Sequence, residues 1–345
     1  MTPWWRPESL ERRRANLVAR GRITAAVRGF FAERGFAEVE TPALQVSPGL
    51  EPHLKAFATE LAAPDGRTRQ LHLQTSPEFA MKKLLVAGSG PIYQLARVWR
   101  NGERSPTHHP EFTMLEWYRP GAGYETLIED CGDLLRIALH AAGGGAFAWQ
   151  DRRSDPVRLE RLTVAEAFQR HAAIDLMAGI AAGGATDRAA LAAAAEAIGV
   201  RVVPADTWED IFFRIFLDRI EPRLGHPHPT ILIDYPIAMA ALSRPKPTDP
   251  RLAERFELYV GGLELANAFG ELTDAAEQRR RFEADRTEAR RLYGHAYPID
   301  EDFLTALAQG MPESAGIALG FDRLVMLATG AAHIEDVLWA PVAEV

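Results

Sequence analysis

The chain of 345 residues has a single cysteine, Cys131, which excludes an internal disulfide and any multi-cysteine zinc site. No stretch approaches the ~18 consecutive apolar residues of a membrane span. The opening MTPWWRPESLERRR lacks the apolar stretch of a secretion signal. A cytoplasmic protein with no membrane partner is therefore expected. Neither GxxxxGK[ST] nor GxGxxG occurs, so no glycine-rich loop is available to cradle phosphates. Basic charge is not in excess either. A formal net charge of −8 counts against general affinity for nucleic acid, tRNA included. No internal repeat or heptad array is present.

What remains is the composition of a soluble globular protein with a large core, 47% hydrophobic and 25% charged. Apolar spacing predicts a helix over 13–35, closed by Gly35 and followed by an edge strand in FAEVETP. QLHLQT (70–75) alternates as a strand, and Pro77 opens a helix through Leu85. IYQLARVWR and EFTMLEWY read as two strands of a hairpin joined by the long polar loop NGERSPTHHP. A helix follows at 124–142. From 143 to about 200 the composition turns to alanine and glycine, with helices near 162–171 and 187–198, and with a further helix at 206–221 residues 143 to about 225 read as a helical insertion. TILIDYP is a strand, SRPKPTDP an exposed loop, and RFELYV and LELANAF a hairpin about Gly261-Gly262. A charged helix at 274–293 and a strand GIALG running into the helix FDRLVMLATG complete the chain.

The strands carry polar groups that a buried strand does not need. Alternation puts Phe112, Met114, Glu116 and Tyr118 on one face, aligns Glu257 with Tyr259, and separates Leu263, Leu265 and Asn267 from Glu264, Ala266 and Ala268. Carboxylates in a sheet are costly unless they meet cations. Five of them (Glu78, Glu116, Glu257, Glu264 and Glu271), with Arg100 and Arg323 near strand ends, make a site with both signs of charge. Arginine suits phosphate, and clustered carboxylates suit an ammonium group and magnesium. The pattern therefore implies a nucleoside triphosphate and an aminated substrate.

GFAEVETPAL, VWRNGERSPTHHPEFTMLEWY and GIALGFDRLVML resemble motifs 1, 2 and 3 of the class II aminoacyl-tRNA synthetases, in the required order. The resemblance covers roughly residues 20–340. It implies an α+β class II catalytic fold, an antiparallel sheet flanked by helices. HPEFTMLEWY and ELANAFGELTD are similar to lysyl-tRNA synthetases. Motif 1 lies within the first forty residues, which leaves no room for their N-terminal OB anticodon-binding domain. A single catalytic domain over 1–345 is expected. LLVAGSGPIYQLARVWR, EFTMLEWYRP and Ala318, where lysyl-tRNA synthetases have glycine, resemble the truncated branch that attaches (R)-β-lysine to a lysine of elongation factor P.

The resemblance implies roles residue by residue. Arg100 would hold the α-phosphate and the lysine carboxylate, with His108 near the outer phosphates. Phe112 and Arg323 would sandwich the adenine, with Asn101, Gly102, Glu103, His109, Leu258 and Gly320 completing the ATP site. Glu257 and Glu264 would hold Mg²⁺. Ser76, Pro77, Glu78 and Asn267 would surround the substrate backbone, Glu116, Tyr118 and Glu271 its side-chain ammonium, and Ser76 and Ala318 would favour β-lysine. Motif 1, over residues 20–42 and ending at Pro42, implies a homodimer. The chemistry implied is adenylate formation from ATP followed by acyl transfer to an amine.

Three positions depart from the family pattern. Gly102 interrupts the usual Arg-Asn-Glu of motif 2, so the adenine contact passes to Glu103 or to backbone groups. His109 stands where asparagine is common. Gly270 stands where serine or histidine is common, and is expected to open space beside Glu271. His108 and His109, adjacent on a strand, would face opposite ways and make no zinc site. Two other readings compete: a stand-alone lysyl-adenylating enzyme that charges tRNA or a small molecule, and an inert synthetase-like subunit. Against the latter stand Arg100, Glu257, Glu264 and Arg323.

Overall fold

The computed structural model describes residues 3–240 and 242–343. Helix α1 (Pro7–Glu33) starts at Pro7, whose missing N–H costs nothing in a first turn. Gly35, at φ +74°, follows its end. The helix starts earlier than apolar spacing predicts because its first turns are held by polar contacts. Buried Arg13 donates to the Leu338 carbonyl at 2.5 Å and to the Trp4 carbonyl at 3.0 Å.

Strand β1 (Ala37–Glu38) lies at the sheet edge, and β2 (Leu44–Gln45), β3 (Ala58–Ala62) and β4 (Thr68–Leu73) form a small side sheet. Helix α2 (Glu78–Val86) leads to the hairpin of β5 (Ile92–Trp99) and β6 (Glu111–Pro120), then to α3 (Tyr124–Ala142). The alanine-rich region is less helical than its composition predicts. It holds a small hairpin, β7 (Phe147–Trp149) with β8 (Arg152–Ser154), and β9 (Glu160–Thr163), which joins the main sheet. Only then come α4 (Val164–Ala172), α5 (Arg188–Ala197) and α6 (Trp208–Ile215). Strand β10 (Thr230–Pro236) follows. SRPKPTDP is not a free loop: β11 (Pro245–Lys246) folds back on β12 (Asp249–Val260), pinned by Arg244–Glu254 at 2.7 Å and Lys246–Asp234 at 2.6 Å. The chain closes with β13 (Leu263–Gly270), α7 (Ala275–Tyr293), an unforeseen α8 (Glu301–Gly310), β14 (Ser314–Gly320) and α9 (Phe321–Thr329).

The main sheet runs β1-β5-β6-β14-β13-β12-β10-β9, with β11 beside β12. Its pairs are antiparallel except β1 with β5 and β9 with β10. This is the expected α+β arrangement. One lateral row, Leu95–Leu115–Leu319–Ala266–Leu258, faces the core that α1, α3 and α9 cover. The period of two sends the neighbouring residues to the opposite face, where the site lies.

A buried pair fixes α9 against the sheet. Arg20 of α1 contacts one oxygen of Asp322, and the other accepts the Thr113 N–H at 2.8 Å. Arg20→Met would leave the Asp322 charge buried and unpaired. It is expected to lower the unfolding free energy by about 3–5 kcal/mol, measurable as an earlier urea midpoint.

Candidate active site

The polar rows of the sheet form the floor of a cleft of about 660 Å³, within the size range of ligand sites. Strand pairing aligns Gln94, Glu116, Ala318, Asn267 and Glu257 across five strands, and beside them Ile92, Tyr118, Gly316, Phe269 and Arg255. On β14 the residues on this face, Gly316, Ala318 and Gly320, are all small and the last two line the cleft, while Ala315, Ile317 and Leu319 point into the core. Glu264 reaches the same side as Glu257 through an irregularity. The register of β12 with β13 shifts between Leu258 and Tyr259, so Glu264 pairs with Tyr259 instead of following strict alternation.

At one end of the cleft, Arg100 leans on the Phe112 ring, 5.3 Å from its centroid, and its buried Nε has no partner among the described residues. Arg323 is held at three points: the Thr107 carbonyl at 3.1 Å, the Glu264 carbonyl at 2.8 Å and His108 Nε2 at 2.6 Å. Burial, then the charges of Arg323 and Arg100, push the His108 pKa down to about 4. The neutral ring accepts from Arg323 and gives its Nδ1 proton to Ser105 at 2.8 Å. Both ring nitrogens are thus engaged, and His108 orients Arg323. His109 is likewise taken up, by the Glu111 carbonyl at 2.5 Å and the Val342 N–H at 3.1 Å. Both histidines lie in the loop before β6, not on the strand. Glu103 lines the cleft, whereas Asn101 and Gly102 do not. Leu258 is sealed in the opposite core, where its side chain cannot touch a ligand.

The middle of the cleft holds paired carboxylates. Glu257 Oε1 contacts Arg255 at 2.6 Å, and its Oε2 accepts the Tyr235 and Tyr259 hydroxyls, each at 2.5 Å. The Glu264 carboxylate makes no hydrogen bond or ion pair among the described residues. Burial and then the charge of Glu257 push its pKa up to about 8. Two adjacent carboxylates, one of them unengaged, are a hard-oxygen donor set suited to a divalent cation.

The other end is carboxylate-lined. Ser76 and Glu78 stand on the cleft wall, and Pro77, between them, caps α2 without lining it. Glu116, Tyr118 and Glu271 lie just behind this wall. Ser76 Oγ donates to Glu116 Oε2 at 2.7 Å, and the Tyr118 hydroxyl donates to Glu116 Oε1 at 2.6 Å. Burial and the charge of Glu78 push the Glu116 pKa up to about 8. Gly270 does not open space beside Glu271. A Cβ there would meet Glu254 Oε2 at 2.2 Å, so the paired Glu254–Arg244 side chains already fill that volume.

A family model described as tRNA synthetases class II (D, K and N) matches residues 8–344. The chain belongs to the class II tRNA synthetases. Three similar proteins carry the name elongation factor P–(R)-β-lysine ligase. Those of Erwinia tasmaniensis and Pectobacterium atrosepticum are each 42% identical to this synthetase-family chain, covering 98% of it and 97% of their own lengths. That of Haemophilus influenzae is 40% identical over 94% of both chains. No helix among the described residues is long and apolar enough to cross a membrane.

Sequence reasoning missed four groups of this class II site. Lys82 joins Glu78 and Glu271, Arg255 and Tyr235 hold Glu257, and Gly316 makes room for Tyr118. Signals existed for three. Lys82 stands one helical turn after Glu78, Arg255 two residues before Glu257, and Gly316 two before Ala318 on the same strand face. Tyr235 comes from β10, and only the packing brings it near.

Proposed function

We propose that this protein activates (R)-β-lysine, or lysine, with ATP and transfers it to the ε-amine of a lysine of elongation factor P. The observation that carries the reading is one cleft joining an arginine end suited to phosphate to a carboxylate end suited to ammonium groups. The names of relatives that align over nearly the whole chain support the acceptor.

In the first step the substrate carboxylate attacks the α-phosphorus of ATP, and the bond to the bridging oxygen breaks to release pyrophosphate. Arg100, with no carboxylate of its own, stabilises the charge that gathers on the α-phosphate. Arg323, clamped by His108 and two carbonyls, presents a fixed planar face to the adenine opposite Phe112. Ser76, Glu78, Glu116 and Glu271 hold the two amines, so the carboxylate faces the phosphate. In the second step the acceptor nitrogen attacks the acyl carbon, AMP departs, and the amine loses its proton. No covalent enzyme nucleophile is needed. Glu257 and Glu264 would hold Mg²⁺, which would supply neutralisation of the phosphate charge.

The mouth of the cleft is acidic. Glu51, Glu209 and Asp285 line it, and burial with the charges of Glu209 and Glu51 pushes the Asp285 pKa up to about 7. Such a mouth suits an arriving lysine side chain. Glu209 sits on α6, inside the alanine-rich insertion. Two copies would meet through α1 and the segment ending at Pro42, to be checked by sedimentation.

Glu264→Gln is expected to slow lysine-dependent ATP–pyrophosphate exchange about a hundredfold. Melting should stay unchanged, because the carboxylate holds no partner among the described residues. The deciding experiment is the intact mass of elongation factor P after incubation with this protein, ATP, magnesium and either (R)-β-lysine or lysine. A lysyl-sized gain, faster with (R)-β-lysine, supports the reading. Lysine-dependent exchange without any gain sends the acyl group to another acceptor.

A further inference from the structure

Lys82 lies one helical turn after Glu78 on α2, with its side chain 1% exposed. Its Nζ is 2.5 Å from Glu78 Oε1 and 2.5 Å from Glu271 Oε2. The first contact is a hydrogen bond. The second is an ion pair that leaves Glu271 Oε2 without an aligned donor. Lys82 does not line the cleft, and its ammonium is already taken up by Glu78 and Glu271.

The charged groups around it can be counted. Helix α2 supplies Glu78 and Lys82, β6 supplies Glu116 beside Tyr118, and the turn after β13 supplies Glu271. Arg244, the next cation towards Glu271, is taken up by Glu254 at 2.7 Å and Glu313 at 3.6 Å. Three carboxylates and one ammonium leave two negative charges. Lysine and β-lysine each bring two ammonium groups, and their carboxylate belongs to Arg100 at the other end.

We infer that Lys82 is a positioning residue that fixes Glu78 and Glu271 and sets the charge of the pocket to match a substrate with two ammonium groups. This rests on the lysine-activating reading above. Burial, ahead of the charge of Glu78, pushes Glu116 up to about 8, and burial pushes Glu271 up to about 7 against the opposing charge of Lys82. The substrate needs both ionised, so its KM falls as pH rises through this range. Without the Lys82 charge both carboxylates hold their protons to higher pH.

The test is the KM for lysine and for ATP, by pyrophosphate exchange from about pH 6 to 9. It compares the natural protein, Lys82→Met, and the charge-balanced double variant Lys82→Met/Glu78→Gln. Lys82→Met is expected to raise the lysine KM about tenfold at neutral pH, with the ATP KM within about twofold, and to move the midpoint of the KM–pH curve up by about one unit. The double variant is expected to return that midpoint towards the natural one, with the lysine KM still raised by the loss of Glu78. An unchanged lysine KM and pH curve in Lys82→Met overturns the inference. So does a lowered lysine KM, since Lys82 would then be a competitor of the substrate. If Lys82→Met does not fold, the double variant decides: a natural midpoint supports the charge count, and a displaced one overturns it. Absence of lysine-dependent exchange in the natural protein defeats the functional reading itself.

Discussion

Replacing Arg100 with glutamine is expected to slow lysine-dependent ATP–pyrophosphate exchange about a thousandfold, or about 4 kcal/mol of transition-state stabilisation. The size follows from the site. Arg100 stands at the end of the cleft that would take the phosphates, and no carboxylate among the described residues pairs with it. Its charge is thus available to the oxygen that becomes more negative as pyrophosphate leaves. Glutamine keeps a donor and loses the charge and the planar fork. The side chain contributes little to folding, since among the described residues its guanidinium makes no hydrogen bond or ion pair and rests on the Phe112 ring. The melting temperature should stay within about 2 °C of the natural protein. A large drop in melting temperature would mean that Arg100 supports the fold, and the loss of exchange could not then be assigned to phosphate.

Gly316→Ala is the second large effect, and it acts by volume. A Cβ at this position would lie 2.2 Å from Tyr118 Cε1 and 2.3 Å from Glu271 Oε1. The Tyr118 ring is buried, and its hydroxyl is tied to Glu116 at 2.6 Å, so it has no free path of retreat. Overpacking of this kind costs about 1–3 kcal/mol. Function should suffer more than stability, because on the proposed reading the groups displaced, Tyr118 and Glu271, are those that would bind the side-chain ammonium. A displacement of about 1 Å is expected to cost about a hundredfold in kcat/KM for lysine, with the ATP KM unchanged. Phe112 and Arg323 lie at the far end of the cleft. Ala318→Gly, two residues along the same strand face, removes a methyl and should fold normally. Equal losses in the two variants would count against the steric account.

The hairpin of β5 and β6 shows how much could be read before folding. Its alternation puts Phe112, Met114, Glu116 and Tyr118 on one face, and the structure buries Leu115 and Trp117 of the other face in the core. The hairpin about Gly261-Gly262 and the strand-to-helix passage at Gly320 were equally legible, because a period of two and a turn are local properties. Helix α8 and strand β9 were not foreseen. The first is only ten residues long and is held by burial of Phe303, Leu304 and Leu307 against a separate core, and the second lies in an insertion where its pairing with β10 is set by tertiary contact.

The same division runs through the site. Arg100, Glu257 and Arg323 are marked by spelling alone, since charge placed in or beside an apolar strand is expensive and has to be used. Alternation would send Glu264 to the wrong face, and only the shifted register of β12 and β13 turns it towards Glu257. The histidines illustrate the limit from the other side. The resemblance implies contact with ATP and both line the cleft, but only packing shows that His108 also holds Arg323 and that His109 meets the neighbouring Glu111 carbonyl and the Val342 N–H, which is distant in sequence. The sequence by itself determined the central strands of the main sheet, the ordered motifs and the inventory of charge, because each follows from residues that are neighbours along the chain. The tertiary structure alone decided which charges meet. Lys82 with Glu271, Tyr235 with Glu257 and Arg20 with Asp322 are pairings across the chain, and the energy of a buried charge depends on what surrounds it in space.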